Sequence, residues 1–174
     1  MTDEITKKAR KIQLLVLDVD GVLTDGKLYF SSDGTETKAF NTLDGHGIKL
    51  LRKSGVEVAI ITGRTSELVG RRARDLGVQQ LVQGREDKLA ALQELLVDNP
   101  VDLEAIAFMG DDYPDLTVMR RVGLALTVAG ALPIMTENAH WQSQHRGGEG
   151  AVREACDMIM QAQGTYQQAL APYL

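Results

Sequence analysis

Short runs of apolar residues recur along this chain. Each is apolar at most positions rather than alternating, and each gives way to a stretch with helical periodicity. Residues 12–17, 56–61, 80–82, 105–109 and 124–128 are such runs. A strand that is apolar throughout is buried on both faces, the condition of a parallel sheet covered by helices on either side. Between the runs, residues 47–53, 66–76, 86–97, 114–121 and 149–163 space their apolar residues three and four apart. Leu89, Leu92, Leu95 and Leu96 form one such stripe. Thr65 reads as an N-cap, and Pro114 sits where a first helical turn tolerates proline. The alternation predicts a doubly wound, mostly parallel, Rossmann-like α/β sheet.

One section departs from it. Residues 27–30 and 36–40 flank Ser31-Ser32-Asp33-Gly34-Thr35 and read as a β-hairpin. The insertion, about residues 26–41, follows the first strand directly. Ligands of doubly wound sheets lie beyond the carboxyl ends of the strands, near the switch in strand order. A hairpin there projects from the edge of the ligand site. The 174 residues suit one domain over 1–174, with a tail at about 164–174.

Composition narrows the function. With 44% hydrophobic and 25% charged residues, disorder is a poor expectation. The net charge of −5 and the lack of a basic block argue against nucleic acid. No apolar run reaches the ~18–20 residues of a membrane span. The polar start lacks a signal-peptide core, and the single cysteine, Cys156, allows no internal disulfide, so a cytoplasmic location is expected.

Polar residues gather where three apolar runs end: Asp18 and Asp20, Thr62 and Arg64, Asp111 and Asp112. Any one of these is an ordinary turn former. Together they form a chemical set. Carboxylates from two strands suit a hard divalent cation such as Mg²⁺. A further carboxylate is free to move protons, Thr62 offers a hydroxyl, Arg64 a fork for phosphate oxygens, and Lys88 a point charge. Such a set neutralises an anion that gains charge during phosphoryl transfer.

Asp18-Val-Asp20-Gly-Val22, Thr62-Gly63-Arg64, Lys88 and Gly110-Asp111-Asp112 with Asp115 resemble, in order, the four motifs of the haloacid dehalogenase superfamily of phosphatases. The hairpin, Asn41-Thr-Leu-Asp-Gly45 and Gly147-Gly-Glu-Gly-Ala-Val-Arg-Glu154 extend the resemblance to a capless branch of that family. That branch acts on 3-deoxy-D-manno-octulosonate 8-phosphate, on the route to lipopolysaccharide, and has relatives that act on sugar-acid 9-phosphates. The resemblance implies Asp18 as nucleophile and Asp20 as general acid and base. It implies Thr62 and Lys88 on the phosphoryl oxygens and the nucleophile, and Mg²⁺ on Asp18, the Asp20 carbonyl and Asp111. Asp112 and Asp115 would orient these ligands. Substrate contacts are implied for Asp20, Asn41, Thr42, Leu43, Asp44, Gly45, Lys49, Arg64, Arg72 and Lys88. Arg72 reaches only the rim, so its contact could cross to a neighbouring subunit.

The blander readings are a turn at Asp25, a solvated face for Lys49 and for Arg71, Arg72 and Arg74, and a flexible connection at residues 147–150. Trp141 and the methionines read as core or interface, and His46, His140 and His145 show no metal spacing. Two other functions fit the residues less well. A phosphorylated receiver domain would place its acidic pair before the Thr and Lys, which is not the order here. A non-catalytic assembly module would not need the intact chemical set. The gap at residues 84–88 leaves no room for a cap, and Leu28, Tyr29 and Phe30 of the hairpin call for burial. A homotetramer with sites closed by neighbours is therefore expected.

Overall fold

All five apolar runs form strands of one sheet, trimmed at their ends. A computed structural model describes residues 2–174. Helix α1 (Asp3–Ala9) precedes β1 (Leu14–Leu17), and the hairpin follows as β2 (Tyr29–Phe30) and β3 (Glu36–Thr37). Then come α2 (Thr42–Lys53), β4 (Glu57–Ile61), α3 (Glu67–Leu76), β5 (Gln80–Val82) and α4 (Lys88–Asp98). The rest of the chain forms β6 (Ile106–Met109), α5 (Tyr113–Met119), β7 (Leu124–Thr127), α6 (Pro133–Asn138), β8 (Trp141–Gln142), α7 (Ala151–Gln163) and α8 (Tyr166–Leu170).

The main sheet has six strands in the order β5-β4-β1-β6-β7-β8, and every pair is parallel. The fold is thus the α/β class that the pattern predicts. Leu15 and Leu17 pack to one face, under α2 and α7; Leu14 and Val16 pack to the other, against α4 and α5. This two-sided burial is why the runs do not alternate. Each fully buried Leu, Ile or Phe contributes ~1.5–3 kcal/mol.

Several boundaries differ from the sequence reading, each for a local reason. The hairpin strands are two residues each, because only Tyr29–Thr37 and Phe30–Glu36 pair. Helix α2 starts at Thr42 rather than residue 47, since Asn41 Oδ1 accepts the Leu43 N–H at 2.8 Å and caps it. The expected N-cap at Thr65 falls instead on Ser66, whose own N–H is taken by Gln83 Oε1 at 2.9 Å. The expected flexible connection at residues 147–150 is packed. A Cβ on Gly147 would strike the carbonyls of Gly21 and Thr24, and the Gly148 N–H donates to the Val22 carbonyl at 3.0 Å. Residues 164–174 are mostly helical, and the Tyr173 ring meets His46 of α2 edge-on at 5.5 Å.

Trp141 sits in β8 against the core, and Leu28, Tyr29 and Phe30 are exposed on the hairpin. Among the described residues no helix is long and apolar enough to cross a membrane.

Candidate active site

Strand β1 lies at the switch point, between β4 and β6, and the three carboxyl ends share one crevice. Beyond β1 the chain winds tightly, with the N–H groups of Val22, Leu23 and Thr24 all donating to the Val19 carbonyl at 2.9–3.2 Å. Gly21 sits inside this turn at φ +91, where L side chains are strained, and a Cβ there would collide with the Asp111 carboxylate. The glycine therefore lets the loop from β1 close onto the loop from β6.

Lys88, the first residue of α4, is buried between two acids. Its Nζ lies 2.8 Å from Asp18 Oδ1 and 2.5 Å from Asp115 Oδ1. The other oxygen of Asp115 accepts the N–H groups of Asp111 and Asp112 at 3.0 and 3.2 Å. Asp115, wholly buried, thus has both oxygens occupied. Burial and the nearby Asp115 raise the Asp18 carboxyl to about 6, against the pull of Lys88. Burial, with Asp18 and Asp115 adding to it, raises Asp111 to about 7. Burial opposes the charge on Lys88, but its two acidic partners hold the ammonium above its usual range.

The donor set fits a divalent cation. Oxygens of Asp18, Asp111 and Asp115 lie within 4.8 Å of one another. Asp111 Oδ1 is buried and has no hydrogen-bond partner among the described residues. Since Lys88 and two amides occupy Asp115, Asp18 and Asp111 are the carboxylates left to bind metal. Hard oxygen ligands in this number match Mg²⁺, which keeps further positions for water or phosphate.

The crevice is about 300 Å³ and is lined by Asp18, Asp20, Thr62, Arg64, Lys88 and Asp111, with Gly26 and Glu86 at its edge. Thr62 is buried at the end of β4. Asp20 meets the hairpin: one oxygen pairs with Lys38, and the other lies 3.8 Å from Arg64 Nε. Arg64 Nη2 donates to Glu36 Oε1 at 3.0 Å, and that oxygen is also 3.8 Å from Lys38. The sequence reading missed Glu36 and Lys38. Glu36 opens β3 and Lys38 follows its last residue, so their two-residue spacing along the hairpin is the one signal they offer.

The remaining expected contacts do not line the crevice. Asn41 caps α2 and donates from Nδ2 to the Gly148 carbonyl at 3.0 Å, while Thr42 and Leu43 are exposed on the first turn. Asp44 faces inward: its side chain is buried and Oδ1 accepts the Arg153 N–H of α7 at 2.8 Å, which ties α2 to α7. Its burial raises the carboxyl above its usual value. Gly45 is where Arg72 lies close, and a Cβ there would meet the guanidinium. Arg72 Nη2 donates to the Asn41 carbonyl at 2.9 Å, and the guanidinium lies 5.7 Å from the Phe40 ring centre. Lys49 is exposed farther along α2. Within one chain, six of these seven residues, all but Lys49, therefore form the packing and rim of the α2 N-terminus.

No family model matches the chain. A 3-deoxy-D-manno-octulosonate 8-phosphate phosphatase of Yersinia pestis is 46% identical over 169 residues, 97% of this chain and 90% of that protein. A solved structure of a probable YrbI family phosphatase from Pseudomonas syringae is 51% identical at a TM-score of 0.97, covering 99% of this chain and 98% of that one. The Moraxella catarrhalis 3-deoxy-D-manno-octulosonate 8-phosphate phosphatase, solved with magnesium, phosphate and KDO, is 41% identical at a TM-score of 0.97 over 100% of both chains. A Legionella pneumophila structure described as a HAD superfamily (subfamily III A) hydrolase has a TM-score of 0.95 at 42% identity, covering 98% of this chain and 94% of that one. With such identity along almost its whole length, and with the ordered acidic, threonine and lysine positions at the strand ends, the chain belongs to the 3-deoxy-D-manno-octulosonate 8-phosphate phosphatase family of the haloacid dehalogenase superfamily.

Proposed function

We propose that this protein is a Mg²⁺-dependent phosphatase that hydrolyses 3-deoxy-D-manno-octulosonate 8-phosphate to the free sugar acid and inorganic phosphate. The observation that carries the reading is the buried Asp18–Lys88–Asp115 line beside the unpartnered Asp111 oxygen. The Moraxella relative, which holds magnesium, phosphate and KDO, supports the substrate.

In this reading Asp18 is the nucleophile. One of its oxygens bonds to phosphorus as the ester P–O bond breaks, and the electron pair leaves on the sugar oxygen. Asp20 donates its proton to that oxygen. Asp20 then takes a proton from water, whose oxygen attacks the phosphorus of the aspartyl-phosphate. The bond to Asp18 breaks, and its electron pair returns to the carboxylate. Lys88 fixes the free oxygen of Asp18, and Thr62 donates to a phosphoryl oxygen. Asp18, Asp111 and the Asp20 carbonyl would hold Mg²⁺, which supplies positive charge against the phosphoryl oxygens when bound.

The reading includes assembly. The hairpin's Leu28, Tyr29 and Phe30 are 47%, 43% and 61% exposed, a patch suited to burial between copies of this chain. A homotetramer built on these hairpins would bring neighbouring residues to an otherwise open crevice, which is where rim residues such as Asn41, Thr42, Leu43, Lys49 and Arg72 could contact substrate. The chain acts as one domain in the cytoplasm, without nucleic-acid or membrane partners; its acidic charge and single buried cysteine support this.

Phosphate release from a panel of phosphosugars and sugar-acid phosphates, with and without chelator, tests the proposal. A clear preference for the octulosonate 8-phosphate, lost on chelation, is expected. A preference for a sugar-acid 9-phosphate or phosphoglycolate refutes the substrate. Asp18→Asn should fold and bind phosphate yet turn nothing over; full activity in that variant refutes the mechanism.

A further inference from the structure

Four charged side chains from three segments close a ring at the mouth of the crevice. Asp20 comes from the loop after β1, Glu36 and Lys38 from the hairpin, and Arg64 from the loop after β4. Lys38 pairs with Asp20 Oδ1 and reaches Glu36 at 3.8 Å; Glu36 accepts from Arg64 at 3.0 Å; Arg64 faces Asp20 Oδ2 at 3.8 Å. Two members of the ring are acidic and two are basic.

Lys38 is the unusual member. Its side chain is 2% exposed, against 44% for Arg64. So withdrawn a lysine side chain has to find polar partners, and here they are the carboxylates of Asp20 and Glu36. Its position also distinguishes the two oxygens of Asp20. Oδ1 is held by the ammonium, while Oδ2 has only the longer Arg64 contact, and the residue lines the crevice. Arg64 is exposed enough to swing toward an anionic substrate without breaking the Lys38–Asp20 pair.

We infer that Lys38, carried in by the hairpin, is a positioning residue that pins one oxygen of Asp20 so that the other meets the leaving-group oxygen and then the attacking water. This rests on the phosphatase reading above and adds a duty for the hairpin besides assembly. Proton transfer by a well-placed group accelerates a step by ~10²–10⁴-fold, and freeing Asp20 to rotate should forfeit part of that.

The test uses the Mg²⁺-loaded protein and two substrates. The octulosonate ester needs a proton on its leaving oxygen; p-nitrophenyl phosphate releases a stable phenolate and does not. In Lys38→Met, kcat on the sugar ester should fall roughly 30–100-fold with KM within about threefold. With p-nitrophenyl phosphate, a burst of about one phenolate per site should persist at the parental rate, followed by slowed turnover, because phosphoenzyme hydrolysis still needs Asp20. Lys38→Arg should return kcat to within about fivefold of the parent. Unchanged turnover in Lys38→Met, a burst lost together with turnover, or no recovery in Lys38→Arg would each overturn the inference.

Should Lys38→Met fail to fold, Glu36→Gln loosens the same ring from its outer side. A kcat drop of ~3–10-fold with the burst intact would then sustain the inference, and parental turnover would overturn it. If the parent releases no phosphate from the sugar ester, the substrate reading fails, while the phenolate burst and its decay still report on Lys38.

Discussion

Replacing Asp115 by asparagine isolates the electrostatics of the buried centre with almost no change in volume. Asp115 is 0% exposed and accepts three hydrogen bonds, from Lys88 at 2.5 Å and from the Asp111 and Asp112 N–H groups at 3.0 and 3.2 Å. An amide has one acceptor oxygen. Either it faces Lys88 and the NH₂ meets two backbone donors, or it serves the backbone and the NH₂ meets an ammonium. Leaving a buried donor unpaired costs ~1–3 kcal/mol, and breaking a buried ion pair costs ~3–5. These figures describe overlapping groups, and Lys88 keeps Asp18, so the total loss is ~3–5 kcal/mol. A chain of this size loses ~2–4 °C per kcal/mol, which lowers Tm by roughly 6–20 °C. Urea unfolding of the metal-free protein near neutral pH measures the loss directly, with an unchanged m-value expected. Asp115 is also the main charged neighbour raising the Asp18 carboxyl, so Asp18 should titrate below about 6 in the variant. A loss under about 1 kcal/mol would refute the reasoning, since Asp115 would then not be the anchor of Lys88.

Asp111→Asn should raise the Tm of the metal-free protein above about pH 7 while abolishing the Mg²⁺-induced gain. The group's folded pKa is raised from 3.8 to about 7, so its contribution is fully present below 3.8 and is lost as pH rises through about 7. The parent-minus-variant difference should therefore decline over that window in chelator, and the Mg²⁺ response should grow; a difference that rises with pH would contradict it. At the hairpin, Phe30→Asp should dissociate the assembly and cut activity by an order of magnitude or more, read by sedimentation alongside turnover. A fully active parental monomer would contradict the assembly.

The sheet is legible because burial on both faces leaves runs that are mostly apolar and do not alternate. The residues at the strand ends were legible because the order Asp18, Thr62, Lys88, Asp111 follows the chain through the switch point. The periodicity understates α2 because Gly45 and Gly47 interrupt its first turns, and its cap, Asn41, carries no periodic signal. Asp44 looked like a ligand contact, but a carboxylate near a glycine-rich turn can equally accept from a distant helix, and only the α2–α7 docking shows which. Lys38 was invisible for a similar reason. Its meaning depends on where a two-residue strand folds back, and nothing in its neighbours along the chain marks it as buried.

Gly147 and Gly148 lie against the carbonyls that follow the nucleophile, and Asn41 reaches the Gly148 carbonyl across 107 positions of sequence. The catalytic loop is thus braced by one of the most distant segments of the chain. A contact of that separation carries a closure entropy that the packing of the glycines and the Asn41 hydrogen bond must offset. Local changes near residues 147–150 should therefore reach the chemistry of Asp18 and Asp20 through packing alone, although these residues line no part of the crevice.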